Sequence, residues 1–165
     1  MIATERWTFE PWTGGPDPDD LGGSWTIKPK VVVDGCRSCL ELAVLARLRL
    51  EGWDGFWVNA YRNHLRQDWF PAPAVLIDDV APADVAAIFK RLRRENGGGL
   101  GGFLDVFAWR DGQVRFVEVK SPRDKWQPTQ QRFVDMAVRL GHTWDAFLLV
   151  NATISPINRA AENTP

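Results

Sequence analysis

Three residues in the second half of the chain have side chains whose types and spacing suit phosphate chemistry: Asp105, Glu118 and Lys120. The turn that sets their geometry is Arg110-Asp111-Gly112-Gln113, since Asp-Gly between apolar runs is among the strongest short-range hairpin signals. A two-residue turn centred there pairs residues whose numbers add up to 223, which sets Asp105 directly opposite Glu118. Strand side chains alternate, so Lys120 shares the face of Glu118 while Val117 and Val119 point the other way. Like charges in facing positions destabilise a sheet, so the pair calls for compensation. A hard divalent cation such as Mg²⁺ would supply it, because it takes oxygen ligands and keeps several waters. A neighbouring lysine would not bind that metal; its ammonium would sit near an attacking water or a charged phosphate. A bare E-x-K also occurs on many solvated strand faces, and what favours the chemical reading is the opposed acid together with the residues that follow.

Two further polar side chains fall on apolar stripes. Gln130 shares a helical face with Phe133, Val134 and Ala137, and a core-facing amide requires a partner. Glu41 shares a face with Val44, Leu45 and Leu48; it is either a further acid of the same site or a rim residue paired with Arg37 one turn back. Cys36 and Cys39 form a single C-x-x-C with no second pair and no nearby His, which argues against zinc. A thiol redox pair at the start of a helix is the remaining reading of that motif. Arg91, Arg93, Arg94 and Lys125 are the candidates for contacting phosphates, against the alternative of ordinary solvated charge.

The elements that must position these groups follow from pattern. Residues 1–24 carry Pro11, Pro16 and Pro18 with Gly14, Gly15, Gly22 and Gly23, a composition that reads as an irregular arm. Thr26 to Val33 suggests a strand ended by Asp34-Gly35, and Cys36 to Glu51 a helix apolar on nearly every side. Gly55 to Tyr61 reads as a strand and NHLRQDWFPAPA as loop, because Pro71 and Pro73 forbid a regular element. Pro82 to Arg94 is a second helix. Asn96 to Gly102 is glycine-rich, either a flexible linker or a backbone that must be approached closely. Phe103 to Trp109 and Val114 to Lys120 are the hairpin strands, Pro128 to Leu140 a third helix stopped by Gly141, and Trp144 to Val150 a last strand before a polar tail.

With 165 residues, 45% hydrophobic and 25% charged, the chain suits one globular domain with a single core. The N-terminus lacks the basic-then-apolar plan of a secretory signal, and no apolar run reaches eighteen residues. We therefore expect a cytoplasmic protein with no membrane partner. A formal net charge of -1 argues against nucleic-acid binding by bulk electrostatics, so any such contact must be local or assisted by a recruiting protein. Nine Trp and nine Phe against one Tyr are read mainly as core, with exposed Trp available to stack on bases or to fill a dimer interface.

The order of elements resembles the αβββαβ core of the PD-(D/E)xK nucleases, a restriction-endonuclease-like α/β fold with a mixed central sheet flanked by helices. More narrowly, GGFLDVFAW followed by VRFVEVKSPRDKWQPTQ resembles the VRR-NUC family. Gly102 and Asp105 match that family's G-x-P-D, Glu118-Val119-Lys120 its E-V-K, Pro122 and Asp124-Lys125 its connecting turn, and Gln130 its helix glutamine. Leu104 stands where the family has Pro and Ser121 where it has Gly; neither change removes a ligand. The resemblance is specific from about Gly97 to Leu140, weaker over Glu41 to Trp53, and does not cover residues 1–30, 62–95 or the tail.

What the resemblance implies is an Mg²⁺-dependent endodeoxyribonuclease, with Mn²⁺ able to substitute, spanning 25–151 with an insertion at 62–95 between the arm (1–24) and a tail (152–165). Asp105, Glu118, the Val119 carbonyl and Glu41 would hold the metal, Lys120 would act on the nucleophile or transition state, and Gln130 would brace Lys120 or touch substrate. Stand-alone members of the family resemble junction-resolving dimers, so a homodimer on branched, flapped or junction DNA is the implied partner state, in DNA repair and at the nucleoid. The rival classes are a binding module on the same fold that has lost catalysis, and the Cys36/Cys39 redox protein.

Overall fold

The computed structural model describes residues 1–14, 30–69 and 72–156. In chain order the elements are β1 (Ala3–Phe9), β2 (Val31–Val33), β3 (Cys36–Ser38), α1 (Leu40–Leu50), β4 (Asp54–Asn59), β5 (His64–Arg66), α2 (Ile77–Val80), α3 (Ala83–Glu95), β6 (Val106–Arg110), β7 (Gln113–Lys120), α4 (Pro128–Arg139) and β8 (Phe147–Ile154). Six strands form one sheet in the order β1-β8-β7-β6-β4-β5. The pairs β1·β8 and β8·β7 are parallel, while β7·β6, β6·β4 and β4·β5 are antiparallel. The sheet is therefore mixed, and α1, β4, β6, β7, α4 and β8 reproduce the αβββαβ order of a restriction-endonuclease-like core.

Both faces of the sheet are covered at its centre, which explains why β6 and the first half of β8 are apolar at consecutive positions. On one face α1 packs on Trp57, Val106, Ala108, Val117 and Val119. On the other, Val85, Phe89 and Leu92 of α3 with Phe133, Val134 and Ala137 of α4 pack on Phe56, Phe107, Phe116 and Phe147. Phe116 and Phe147 stack with centroids 5.1 Å apart, and Phe103 meets Phe133 at 4.4 Å. Most of the phenylalanines are spent on this one layer, beneath α3 and α4.

Several boundaries differ from those read in the sequence, each for a local reason. Residues 1–24 are not wholly an irregular arm: Ala3–Phe9 is an edge strand along β8, with Trp7 and Phe9 buried at alternate positions. Burial of such side chains stabilises by about 1.5–3 kcal/mol each, and the Pro and Gly that suggested an arm begin only at Pro11. The tail likewise starts later, because β8 runs on through Asn151–Ile154 to pair with β1. Of the leading strand expected over Thr26 to Val33, residues 26–29 lie outside the described residues, as do 15–24 and 157–165.

Asp34-Gly35 does not stop a strand ahead of a helix; it turns β2 back into β3. Asp34 and Gly35 have φ of 49° and 77°, the pair of left-handed residues that a two-residue hairpin turn needs. Helix α1 accordingly opens at Leu40 rather than Cys36, with Cys39 before its first turn. His64–Arg66, expected as loop, pairs with β4 as a short edge strand, because Asn63 at φ 55° reverses the chain before the prolines intervene.

Candidate active site

The hairpin register is the one the turn predicts. Val106 pairs with Val117, Phe107 with Phe116 and Arg110 with Gln113, around Asp111 and Gly112 at φ 51° and 74°. Beyond Val106 the ladder ends on the β6 side, while β7 continues through Glu118, Val119 and Lys120 alongside β8. Asp105 and Glu118 thus sit where two strands part. Alternation puts Asp105 with Phe107, and Glu118 and Lys120 with Phe116, on the face covered by α4.

Each acid has its own donors in this gap. One Asp105 carboxylate oxygen accepts the Val119 backbone N–H at 2.9 Å, while the Asp105 carbonyl accepts the Val58 N–H at 2.8 Å. The other acid is deeper: Glu118 is 2% exposed, and its Oε1 takes the Lys120 ammonium at 2.7 Å and a hydrogen bond from the Gln130 side-chain amide. Gln130 in turn accepts from Lys120 at 3.1 Å through Oε1, and the same oxygen accepts the Gln127 backbone N–H at 2.9 Å. One amide therefore orients the acid, orients the lysine and closes the first turn of α4, in the manner of a capping box. The expected repulsion between facing carboxylates is met by protein donors, with no group shared between the two acids in these bonds.

Burial raises the Glu118 carboxyl above the ordinary carboxylate range, against the opposing pull of Lys120, Gln130 and the Asp105 backbone, which favour its charged form. Its second oxygen, Oε2, is buried and has no hydrogen-bond partner. A buried carboxylate oxygen left over beside a second acid is a place for a cation. The surrounding donors are hard: two carboxylates and, since a strand residue in a ladder sends N–H and C=O to the same neighbour, the Val119 carbonyl. That set fits Mg²⁺ or Mn²⁺ and offers nothing to a soft metal.

Glu41 lies on another element. It is buried in the first turn of α1, the helix on the opposite face of the sheet, and is engaged within the fold. Among the described residues no three of His, Cys, Asp and Glu converge on one cation position. The predicted phosphate contacts scatter as well. Arg93 donates to the Gly98 carbonyl at 2.7 Å and reaches Asn63, Arg94 pairs with Glu95 at 3.5 Å, and Arg91 lies exposed on α3 near His142. Lys125 is exposed in the turn leading to α4. The thiol pair is split: Cys36 is exposed on β3 and Cys39 buried, both free, so the two do not open a helix together.

Two neighbours of the cluster escaped sequence reasoning. Trp126 places its ring 5.9 Å from the Lys120 ammonium, and Gln127 supplies the N–H that Gln130 accepts. A Q-x-x-Q ahead of an apolar stripe was the available sign, a weak relative of the usual S/T-x-x-E/Q cap. Gly102, by contrast, carries a readable role. Its φ is +83°, and a Cβ there would lie 2.6 Å from the Thr129 carbonyl oxygen, so at this glycine the backbone is approached closely by the start of α4.

A six-stranded mixed sheet with helices on both faces, bearing acids and a lysine where its central hairpin splays, is the architecture of a restriction-endonuclease-like nuclease domain. The VRR-NUC domain model matches residues 60–144, more than half of the chain, and the protein belongs to that family. Its domain is thus of nuclease type, a hydrolase class that acts on nucleic acid and generally depends on a divalent metal. The match takes in 62–95, which the motif resemblance had left out, and holds Asp105, Glu118, Lys120 and Gln130 but not Glu41. No curated protein and no solved structure matches the chain.

Proposed function

We propose that this chain is a Mg²⁺-dependent endodeoxyribonuclease for branched or flapped DNA, with Asp105, Glu118 and the Val119 carbonyl holding the cation. The observation that carries the reading is the orphaned, buried Oε2 of Glu118, beside an acid on one side and a lysine fixed by Gln130 on the other. When bound, the divalent ion supplies a more acidic water and offsets negative charge on the phosphate.

The chain's own groups do the rest. Gln130 holds the Lys120 ammonium against Glu118, so a cation stands at the place where a scissile phosphate arrives without itself occupying a metal position. From there Lys120 donates to the attacking water or to the phosphate oxygens as charge builds in the transition state. The Val119 N–H keeps the Asp105 carboxylate turned toward β7, and the face of Trp126 near Lys120 shields the ammonium from bulk water. Substrate preference for branched DNA, a symmetric dimer and a recruiting protein belong to the same proposal. It rests for the first two on the resemblance of stand-alone family members to junction-resolving enzymes.

The test is a cleavage panel of linear, nicked, flapped and four-way DNA with Mg²⁺ or Mn²⁺. The Lys120→Ala variant should lose cleavage and still unfold in one cooperative transition, at a lower Tm because Glu118 loses its ion-pair partner. Cleavage at the wild-type rate by well-folded Lys120→Ala would remove the assigned role, and calorimetry showing no Mg²⁺ uptake by the wild type would favour a binding module.

A further inference from the structure

A groove of about 370 Å³ runs between the C-terminal end of α3 and one stripe of α4, with Glu95, Asn96, Gly101, Thr129, Arg132 and Arg139 among its walls. Thr129, Arg132 and Arg139 recur at helical spacing, so the stripe is continuous along α4. The first turn of α4 serves both the groove and the cluster: Thr129 lines the groove, while Gln130 bonds Glu118 and Lys120. Its floor is also firm. Asn96 donates to the Gly99 and Gly101 carbonyls at 3.1 and 2.9 Å, and Gly102 presses on the Thr129 backbone.

Among the described residues neither Arg132 nor Arg139 has a hydrogen bond or ion pair within the chain, and both are exposed. Of the basic residues of α3, Lys90, Arg93 and Arg94 are engaged with Asp78, Gly98 and Glu95, while Arg91 is exposed. Glu95, an acid at the groove wall, already has Arg94 beside it. Seven residues of helix separate the two arginines by about 10.5 Å at 1.5 Å per residue, far enough apart for each to take a different phosphate of one strand. Guanidinium forks bind phosphate oxygens in pairs.

We propose that Arg132 and Arg139 form a phosphate track that holds one DNA strand as it leaves the active site. The idea rests on the nuclease reading for its ligand but on separate residues for its geometry. It moves the phosphate-binding surface from the basic run of α3 to the outer stripe of α4, and it explains how a chain of net charge -1 holds a polyanion locally.

The experiment measures DNA binding by fluorescence anisotropy between 50 and 200 mM salt, with the full chain carrying Lys120→Ala in Mg²⁺ and a labelled flapped duplex. Each phosphate contact contributes about 0.9 to the slope of log K against log salt. Arg132→Gln/Arg139→Gln should therefore flatten the slope by about 1.8, so its affinity falls about twelvefold less than the parent's over that range. Arg6→Gln, at the far edge of the sheet, should leave the slope alone, and Arg132→Lys/Arg139→Lys should keep it while weakening binding. An unchanged slope in the folded Gln variant overturns the track, as does an equal flattening by Arg6→Gln. Wild-type cleavage is followed in parallel. Cleavage without a slope change refutes the track alone, a slope change without cleavage refutes the nuclease reading alone, and no DNA binding at 50 mM refutes both.

Discussion

Gln130 is the residue through which site and fold are most tightly joined, and two substitutions separate its roles. Its Nε2 donates to Glu118, while its Oε1 accepts from both Lys120 and the Gln127 backbone. Gln130→Ala removes all three bonds. Gln130→Glu keeps an acceptor for Gln127 and Lys120, since Glu is the commonest third residue of a capping box, but deletes the donor and sets a second carboxylate against Glu118. A hydrogen bond to a charged group is worth about 1.5–3 kcal/mol and a helix cap about 1 kcal/mol. The bonds share atoms and the amide is only half-buried, so their losses do not add fully.

We expect Gln130→Ala to lose about 3 kcal/mol and Gln130→Glu about 2 kcal/mol, because the latter keeps its cap. At about 2–4 °C per kcal/mol for a chain of this size, that is a fall in Tm of roughly 6–12 °C and 4–8 °C. The functional consequence is ordered the other way. The Ala variant leaves Lys120 on Glu118 and should retain weak cleavage, whereas the Glu variant draws Lys120 between two acids and makes Glu118 harder to ionise, so its cleavage should be lower and shifted to higher pH. Thermal unfolding by circular dichroism and a pH profile of cleavage on flapped DNA read the two effects separately. A Gln130→Glu protein with wild-type Tm and an unshifted pH profile would refute the bridging role altogether.

How much of this was legible depended on the distance over which each feature is determined. The Asp111-Gly112 turn is local chemistry, and it alone placed Val106 opposite Val117 and brought Asp105 beside Glu118. Asp34-Gly35 carries the same signal with the same left-handed geometry, yet its returning strand is three residues long, and the C-x-x-C drew Cys36 into the helix that follows. Strand β1 and the last half of β8 depend on each other across nearly the whole chain; neither ATERWTF nor NATI has a local partner that would mark it as sheet. Glu41 was undecidable for another reason. With α1 buried from Leu40 to Leu45, no single stripe tells which face of the sheet it serves. The orphaned Glu118 oxygen is a fact of packing, visible only once Lys120 and Gln130 have both turned to the other oxygen.

Two further outcomes follow from the fold. The His142 ring meets Phe116 edge-on at 5.1 Å, and burial, then the charge of Arg91, lower its pKa below 6.5. The unfolded chain therefore takes up a proton near pH 6.5 that the folded one resists, so stability should decline as pH falls below 6.5, and His142→Gln should flatten that decline in Tm measured from pH 7.5 to 5. The glycine loop offers an internally controlled test. Gly98 and Gly102 share a φ of +83°, but a Cβ at Gly98 would meet nothing within 4 Å while one at Gly102 would lie 2.6 Å from a backbone oxygen. Alanine at either costs about 1–2 kcal/mol for the left-handed backbone. At Gly102 the Thr129 carbonyl belongs to the helix and cannot step aside cheaply, so the loss should rise to about 2–4 kcal/mol. The strain should also carry forward three residues to Asp105, lowering cleavage at temperatures where the variant remains folded. Gly98→Ala should cleave as the wild type does. Equal Tm losses for the two alanines would mean that the loop does not press on α4, and that Asp105 is placed by the sheet alone.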